Sequence, residues 1–207
     1  MIELHTTPTA NGFKASIMLE EVELPYRIQR YDLRKGEHLR PDFLALNPVG
    51  RLPVIVDHAV AGDRPITVYG TAAILLYLAE KTGKLLPAAA PERASAYEWL
   101  GIVSSDLAPA YSGQFMFSEI IPGRLPAAIE YYEKLCLRLL APMERTLGEH
   151  RYLAGDEYSI ADVIAYPVAT VSARRFPGHL DDHPAIAAWA ERVGARPAVQ
   201  RGMQAGL

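Results

Sequence analysis

The hydrophobic and polar positions of residues 1–83 alternate between the rhythm of strands and the rhythm of helices. Ala15, Met18 and Leu19 occupy positions i, i+3 and i+4 of one apolar helix face. The run LPVIV is apolar throughout, as expected of a buried strand. The order of elements is βαβ, a helix and then ββα, which predicts a small α/β domain. The predicted strands are IELHT, YRIQRYDL, LPVIV and PITVY, and the predicted helices are a segment that begins near Asn11, GEHLRPDFLALNP and TAAILLYLAEKTG.

The strand pattern ends after Gly83, which is placed to cap the last helix of this first domain. The segment KLLPAAAPERA that follows is rich in Pro and Ala, which is typical of a linker. Beyond it the patterns are helical, and Ser159 with Asp162 before an apolar run predicts a capping box at one helix start. We therefore expect an α/β domain over residues 1–83, a linker over residues 84–92 and an all-helical domain over residues 93–207.

Composition and charge limit the kinds of molecule that the protein is expected to bind. The chain has 207 residues and a net charge of −3 at pH 7, whereas nucleic-acid-binding domains are usually clearly basic. No apolar run approaches the ~20 residues that span a bilayer, and no basic segment precedes an apolar stretch at the N-terminus, so we expect no signal peptide. The single cysteine excludes an internal disulfide and fits a reducing cytosol. We expect a cytoplasmic protein that binds neither nucleic acid nor a membrane.

Two further features could be taken for a catalytic or a metal site, but each has a simpler structural explanation. Cys136 has Leu135 and Leu139 near it at helical spacing, so we expect a small buried hydrophobic residue and not a nucleophile. His179 and His183 flank two Asp residues in GHLDDHP, but no other cluster of metal-ligand type accompanies them. We interpret GHLDDHP as a polar loop and expect no metal site.

The polar segment TPTANGFK stands between the first predicted strand and the first predicted helix. A helix that begins near Asn11 presents free backbone N–H groups and the positive end of its dipole there. The side chains of Thr9 and Asn11 can reach the same space. From these residues alone two interpretations stay open: a simple N-cap, for which Thr and Asn are favoured, or a site that holds a small anion.

The order of TPTANGFK, LNPVGRLPVI and VYGTAAILLYLAEKTG resembles the N-terminal domain of the glutathione transferase family. YLAGDEYSIADV is similar to a motif of the family's helical domain, and the resemblance covers nearly the whole chain. It implies the cytosolic glutathione transferase fold: a thioredoxin-like α/β N-terminal domain followed by an all-α C-terminal domain. It also implies glutathione, reduced or oxidised, as co-substrate, and a homodimer. The segment PTANGFK most resembles Nu-class bacterial transferases, which reduce disulfides.

The resemblance implies roles for individual residues. Pro53 corresponds to the family's cis proline, and the backbone of Leu52 corresponds to the group that pairs with the cysteinyl part of glutathione. Thr71 corresponds to the hydroxyl residue that takes the γ-glutamyl α-carboxylate. Arg51 and His38 fall where several classes place donors for the glycine carboxylate, and their alternative is an ordinary solvated surface position.

The resemblance also implies how the thiol is activated. The thiolate is the nucleophile, and no Tyr or Cys occurs between His5 and Lys14 to activate it. Asn11 falls where beta-class enzymes have their cysteine, and an amide is neither base nor nucleophile. Its N–H₂ and the Thr9 hydroxyl can donate hydrogen bonds to a sulfur anion, which lowers the thiol pKa.

One position departs from the family pattern. The acidic residue that binds the α-ammonium of glutathione is replaced by Gly70. A hydrogen bond to a charged group is worth roughly 1.5–3 kcal/mol, so its loss weakens binding by roughly ten- to a hundredfold. Ser105 and Asp106 resemble a polar-acidic pair with which beta-class enzymes reach glutathione in the neighbouring subunit. Asp106 can supply the missing charge, or it can be a solvated helix residue.

The function expected from these residues is glutathione-dependent disulfide reduction or thiol transfer, with Asn11 and Thr9 stabilising the thiolate. A second enzymatic option is conjugation of an electrophile to glutathione. A rival from another class is a binding or scaffold protein that keeps the fold and has little catalysis, which Gly70 favours.

Overall fold

The computed structural model describes residues 1–60 and 64–207. Two compact units make up the chain. One combines Met1–Leu86 with Gly194–Leu207, and the other is Pro87–Val193. None of the described helices is long and apolar enough to cross a membrane.

The first unit contains a mixed four-stranded sheet among the described residues. Strand β1 pairs in parallel with β2 and antiparallel with β3, and β3 pairs antiparallel with β4. The order across the sheet is β2-β1-β3-β4. All four predicted strands are present: β1 (Ile2–Thr6), β2 (Tyr26–Arg30), β3 (Val54–Asp57) and β4 (Ile66–Tyr69).

Strand β2 is shorter than its predicted segment because the Asp32 side chain stabilises a turn directly after it. The Asp32 carboxylate accepts hydrogen bonds from the Arg34 N–H (2.8 Å) and the Lys35 N–H (3.3 Å). An Asp side chain that bonds the backbone two and three residues further on favours a turn over a continued strand.

Three helices pack with this sheet in the first unit. They are α1 (Ala10–Val22), α2 (Pro41–Leu46) and α3 (Thr71–Thr82). The segment predicted as one helix from Gly36 is divided into a 3₁₀ turn and α2, because Arg40 precedes a proline and adopts extended dihedrals (φ −72°, ψ 152°). Gly83 ends α3 in the left-handed conformation (φ 67°), as predicted.

The second unit is helical throughout its regular structure. Its helices are α4 (Ala90–Ile102), α5 (Ala108–Phe115), α6 (Pro126–Glu149), α7 (Ile160–Pro167) and α8 (Pro184–Gly194), with π-helical segments at Val103–Leu107, Met116–Ile120 and Val168–Ser172. A thioredoxin-like α/β unit and a helical unit are the fold class expected from the sequence, which is thereby confirmed.

Asp162 is a buried hydrogen-bonding centre of the second unit. One of its carboxylate oxygens accepts from the Ser159 N–H (3.0 Å), which completes the predicted capping box. The other accepts from the Leu153 N–H (3.1 Å) and the Trp189 indole N–H (2.8 Å). Burial raises the pKa of Asp162 to about 6, although these donors favour the charged form. The Asp162 side chain thus links the start of α7 to α8 and to the turn at Leu153, which precedes α7.

The last helix, α9 (Pro197–Gln204), packs on α1 of the first unit. The Ser16 hydroxyl donates to the Gly202 carbonyl (2.7 Å), and a Cβ at Gly202 would lie 2.5 Å from the Ile17 Cα. Glycine therefore allows the two helices to touch. Arg196 and Arg201 add ion pairs to α1.

This packing differs from the expected division of the chain. Residues 194–207, expected in the helical domain, belong to the first unit, and α4 begins at Ala90 inside the expected linker over residues 84–92. Helical periodicity reports which face of a helix is apolar. It does not report which distant helix covers that face, and here α1 is more than 170 residues away along the chain.

Candidate functional site

The turn from β1 into α1 requires glycine at position 12, because any larger side chain would displace the neighbouring backbone. A Cβ at Gly12 would lie 2.1 Å from the Thr7 carbonyl oxygen and 2.6 Å from the Thr6 hydroxyl. Thr9 is the N-cap, with extended dihedrals, and its hydroxyl oxygen accepts from the Gly12 N–H (3.2 Å). The simpler of the two interpretations of TPTANGFK, an N-cap, is therefore correct for Thr9.

The cap leaves the Thr9 hydroxyl able to act on a ligand as well. Capping uses a lone pair of the oxygen, so the hydroxyl hydrogen is still available to donate. The first turn of α1 contains no acidic residue that would offset the positive end of the helix dipole. The start of α1 therefore combines donor groups with a positive potential, which suits an anion.

Asn11 lies in the same first turn with its side chain exposed. Its Oδ1 accepts a hydrogen bond from the Lys14 ammonium (2.9 Å). Lys14 is only 1% exposed, and burial lowers its pKa to about 7. Lys14 was not among the site residues expected from the sequence. A signal was present, because this lysine stands three residues after Asn11 and between the apolar residues Phe13 and Ala15.

The Leu52–Pro53 peptide bond is cis, as the resemblance implied. Pro53 is buried directly before β3. The loop before it is held by Asn47, which was also missed: its amide donates to the Arg51 carbonyl (2.6 Å), and its Oδ1 accepts from the Val49 N–H (3.0 Å). Asn47 is buried, and its two bonds shape the backbone that leads to Leu52.

Arg51 and His38 lie on neighbouring turns. Arg51 is exposed, and its guanidinium makes no ion pair with any residue in the ranges 1–60 and 64–207. A Cβ at Gly50 would lie 3.5 Å from the His38 carbonyl oxygen, so the turn of His38 packs beside the loop of Arg51. The His38 Nδ1 is buried and has no hydrogen-bond partner among the described residues.

Gly70 and Thr71 form the start of α3. Gly70 is the N-cap with a positive φ of 86°, and an added Cβ would meet nothing within 4 Å. An acidic residue at position 70 would therefore find space, but its backbone would be strained by roughly 1–3 kcal/mol. Thr71 is half-buried and is the first residue of the helix.

The strand register brings three of these segments to one edge of the sheet. Val54, which follows Pro53, pairs with His5 at the end of β1 and with Tyr69 at the end of β4. The turn to Thr9 follows β1, and Gly70 follows β4. Three segments therefore lie side by side at this edge of the sheet: the segment of Thr9 and Asn11, that of Leu52 and Pro53, and that of Gly70 and Thr71.

Ser105 and Asp106 belong to the second unit, in the π-helical segment Val103–Leu107. Both are exposed. The Ser105 hydroxyl is within hydrogen-bond reach of the Gly101 carbonyl (2.8 Å) and of the Asp106 carboxylate. Asp106 makes no ion pair within the described part of the chain. The role expected for this pair in a neighbouring subunit stays a prediction.

Cys136 is fully buried, and burial raises the pKa of its thiol to about 12. A thiol with so high a pKa is not a nucleophile at neutral pH, so the expectation of a buried hydrophobic residue is confirmed. Within GHLDDHP, His179 is buried, and its Nδ1 lies 3.2 Å from the Tyr111 hydroxyl. Outside residues 61–63, no three side chains of metal-ligand type come together.

Two models of the glutathione S-transferase family match the chain. The N-terminal domain model covers residues 10–81, and the C-terminal domain model covers residues 120–197. Among curated proteins, the disulfide-bond oxidoreductase YfcG of Escherichia coli K12 is 39% identical over 204 residues, which is 98% of this chain and 94% of that protein.

Solved structures have the same fold. A glutathione transferase family member from Pseudomonas fluorescens, with two glutathione molecules bound, superposes with a TM-score of 0.92 at 31% identity and covers 98% of this chain and 92% of its own. A glutathione transferase from Pseudomonas putida, with one glutathione disulfide per subunit, gives a TM-score of 0.93 at 28% identity, with 99% and 91% covered.

Proposed function

The chain belongs to the glutathione S-transferase family, and on that premise we propose that it reduces disulfides with glutathione. In this proposal Thr9 and Asn11 stabilise the glutathione thiolate at the start of α1. The observation that carries the proposal is a pair of donors at the start of α1 that bond no described residue: the Thr9 hydroxyl hydrogen and the Asn11 N–H₂. The oxidoreductase name of the E. coli relative and the glutathione disulfide in the P. putida structure support it.

Thr9 and Asn11 stabilise the negative charge of the glutathione sulfur and do not transfer a proton. A thiolate is a larger and softer anion than a carboxylate, but it accepts hydrogen bonds, and donation to the charged form lowers the pKa of the thiol. The dipole of α1 adds to this effect. More of the bound glutathione is then thiolate at neutral pH, and a thiolate that leaves from a disulfide at the same place is stabilised by the same donors.

The reaction balances with two glutathione molecules. The first thiolate attacks one sulfur of the substrate disulfide, forms a mixed disulfide and releases one substrate thiolate. The thiolate of a second glutathione attacks the glutathione sulfur of the mixed disulfide and releases the other. Glutathione disulfide is formed, two electrons pass to the substrate, and the two substrate thiolates take up the two protons that the glutathione thiols lost.

We also propose which residues bind the rest of the glutathione molecule. The Leu52 backbone pairs with the cysteinyl part beside Pro53, and Thr71 with the N-terminus of α3 takes the α-carboxylate. Arg51 and His38 are the proposed donors for the glycine carboxylate. This reduction requires a compartment that keeps glutathione reduced, so we propose a cytoplasmic location.

The function is tested by assaying reduction of 2-hydroxyethyl disulfide by glutathione against conjugation of a chloronitrobenzene. We expect disulfide reduction to be the faster activity. The Cys136→Ser protein should keep it unchanged, because glutathione supplies both thiols and Cys136 is buried. Loss of activity in Cys136→Ser, with normal folding, would contradict the proposal.

The absence of an acid at position 70 favours a second candidate, a binding protein with little catalysis. Gly70 cannot pair with the α-ammonium of glutathione. The same assay separates the two functions, because a binding protein gives neither reduction nor conjugation above the uncatalysed rate while it still binds glutathione in a calorimeter.

We propose further that the protein is a homodimer in which Asp106 of the neighbouring subunit pairs with that ammonium. The carboxylate is exposed and makes no ion pair within its own described chain. The Asp106→Asn protein should bind glutathione about ten- to a hundredfold more weakly, as expected for one charge-assisted contact.

Calorimetric titration measures this affinity, and Asp156→Asn is the control, because Asp156 is another exposed acid of the second unit. Unchanged affinity in Asp106→Asn, or a monomer at the concentrations at which glutathione binds, would overturn the assignment.

A further inference from the structure

Lys14 is a buried cation for which the described chain provides no anion. Its ammonium is covered by protein, and its one hydrogen-bond acceptor among residues 1–60 and 64–207 is the neutral Asn11 Oδ1 (2.9 Å). Taking an ammonium out of water without a counter-charge is costly. An apolar side chain would serve better if the position only filled the core.

We propose that Lys14 is a positioning residue that fixes the orientation of the Asn11 carboxamide for thiolate binding. The inference rests on the proposed function, in which the Asn11 N–H₂ donates to the glutathione sulfur. It assigns to Lys14 a role through Asn11, without contact between the ammonium and the substrate.

The orientation follows from the hydrogen-bonding capacity of the two groups. An ammonium has three donors and no acceptor, whereas an amide has a carbonyl end and an N–H₂ end. Only the carbonyl end of Asn11 can face the Lys14 ammonium, so in the charged form of Lys14 the N–H₂ end points away from it. Without this contact the amide can turn over and present its carbonyl oxygen to a thiolate, which repels it.

The helix spacing makes the contact local and rigid. Residues three apart lie on neighbouring positions of one helix face, and Lys14 is enclosed on α1 between buried residues. Burial favours the neutral amine and lowers the pKa of Lys14 to about 7. The hydrogen bond to the Asn11 oxygen favours the charged form. The contact therefore keeps both the ammonium and the orientation of the Asn11 amide in place.

The test replaces the lysine by a side chain of similar volume that cannot donate. In Lys14→Met, the pKa of enzyme-bound glutathione, followed by the ultraviolet absorbance of the thiolate, should rise by about one unit. The control is Lys84→Met, which removes a lysine charge at the other end of α1, where Lys84 pairs with Glu23 (2.5 Å). This control should leave the thiol pKa unchanged.

A double-mutant cycle with Asn11→Ala separates positioning from a direct effect of charge. If Lys14 acts through Asn11, Lys14→Met should add almost nothing to the thiol pKa in the Asn11→Ala background. An equal rise in both backgrounds would overturn the inference, since the ammonium would then act on the thiolate itself. A Lys14→Met protein with the wild-type thiol pKa would also overturn it.

A second variant leaves Lys14 in place, in case Lys14→Met does not fold. Asn11→Asp gives the buried ammonium a carboxylate partner and removes the donor that faces the thiolate. Its melting temperature should exceed that of Asn11→Ala, while its bound glutathione should have a thiol pKa at least as high. A melting temperature no higher than that of Asn11→Ala would show that residue 11 does not hold the ammonium, and would overturn the inference.

The proposed function and this inference fail in different ways. If Asn11→Ala leaves the thiol pKa unchanged, the thiolate assignment itself is wrong. If Asn11→Ala raises the thiol pKa and Lys14→Met does not, the thiolate assignment stands and the positioning role of Lys14 is rejected.

Discussion

Replacement of Asn11 by alanine should lower kcat for glutathione-dependent disulfide reduction by about 100- to 1,000-fold. One preorganised donor to a developing anion is worth roughly 2.7–4 kcal/mol in the transition state. Asn11 has the features of such a donor, because its carbonyl end is occupied by Lys14 (2.9 Å) and its N–H₂ end is not bonded to any described residue. The loss should appear in kcat more than in glutathione affinity, since the sulfur charge is greatest during thiolate transfer.

The measurement is steady-state kinetics with 2-hydroxyethyl disulfide, accompanied by the melting temperature. Gln29→Ala is the matched control, because it removes an exposed amide from β2 of the same unit. Asn11→Ala should still fold, with a melting temperature a few degrees below the wild type, because the buried Lys14 ammonium loses its hydrogen-bond acceptor. If its kcat stays within about threefold of the wild type, the donor role of Asn11 is wrong.

Replacement of Asp162 by alanine should lower the free energy of unfolding by about 3 kcal/mol or more. The change leaves the backbone N–H groups of Leu153 and Ser159 and the indole N–H of Trp189 without their acceptor. Each buried donor left unsatisfied costs roughly 1–3 kcal/mol. Removal of a buried carboxylate relieves part of its own desolvation cost, which keeps the expected total below the sum of three full penalties.

Urea unfolding of both proteins measures the difference, and Asp156→Ala is the control. Asp156 is exposed and, within residues 1–60 and 64–207, accepts one long hydrogen bond, from the Arg151 N–H (3.4 Å). The control should change stability by less than about 0.5 kcal/mol. A similar small loss in Asp162→Ala would show that the three donors find other acceptors, and that Asp162 does not join the two helices.

Local patterns were enough to predict most of the regular structure. The apolar face of α1, the strands of the sheet and the capping box at Ser159 depend on neighbours within a few residues, which the sequence displays directly. The domain division was not predicted in full, because the place of α9 depends on the close approach of Gly202 to Ile17. No local pattern records a contact between residues so far apart in the chain.

In the candidate site as well, local features could be predicted from the sequence and features that depend on distant or unusual contacts could not. Thr9 and Asn11 were proposed from the polar turn and from the family resemblance, and Pro53 from the resemblance alone, whereas the N-cap at Thr9 follows from its residue type. Lys14 was missed, because a lysine in a helix is normally expected at the surface. Asn47 was missed as well, because its role depends on a loop bond to the Arg51 carbonyl.

The central claim is that the start of α1 holds glutathione as a thiolate, and the most direct measurement is the pKa of the bound thiol. Titration of the ultraviolet thiolate absorbance of the wild-type complex should give a pKa at or below about 7.5, well under the value of about 8.5 for a free cysteine thiol. Asn11→Ala should return the pKa toward the free value. A bound thiol that titrates like free glutathione in the wild-type protein would contradict the claim.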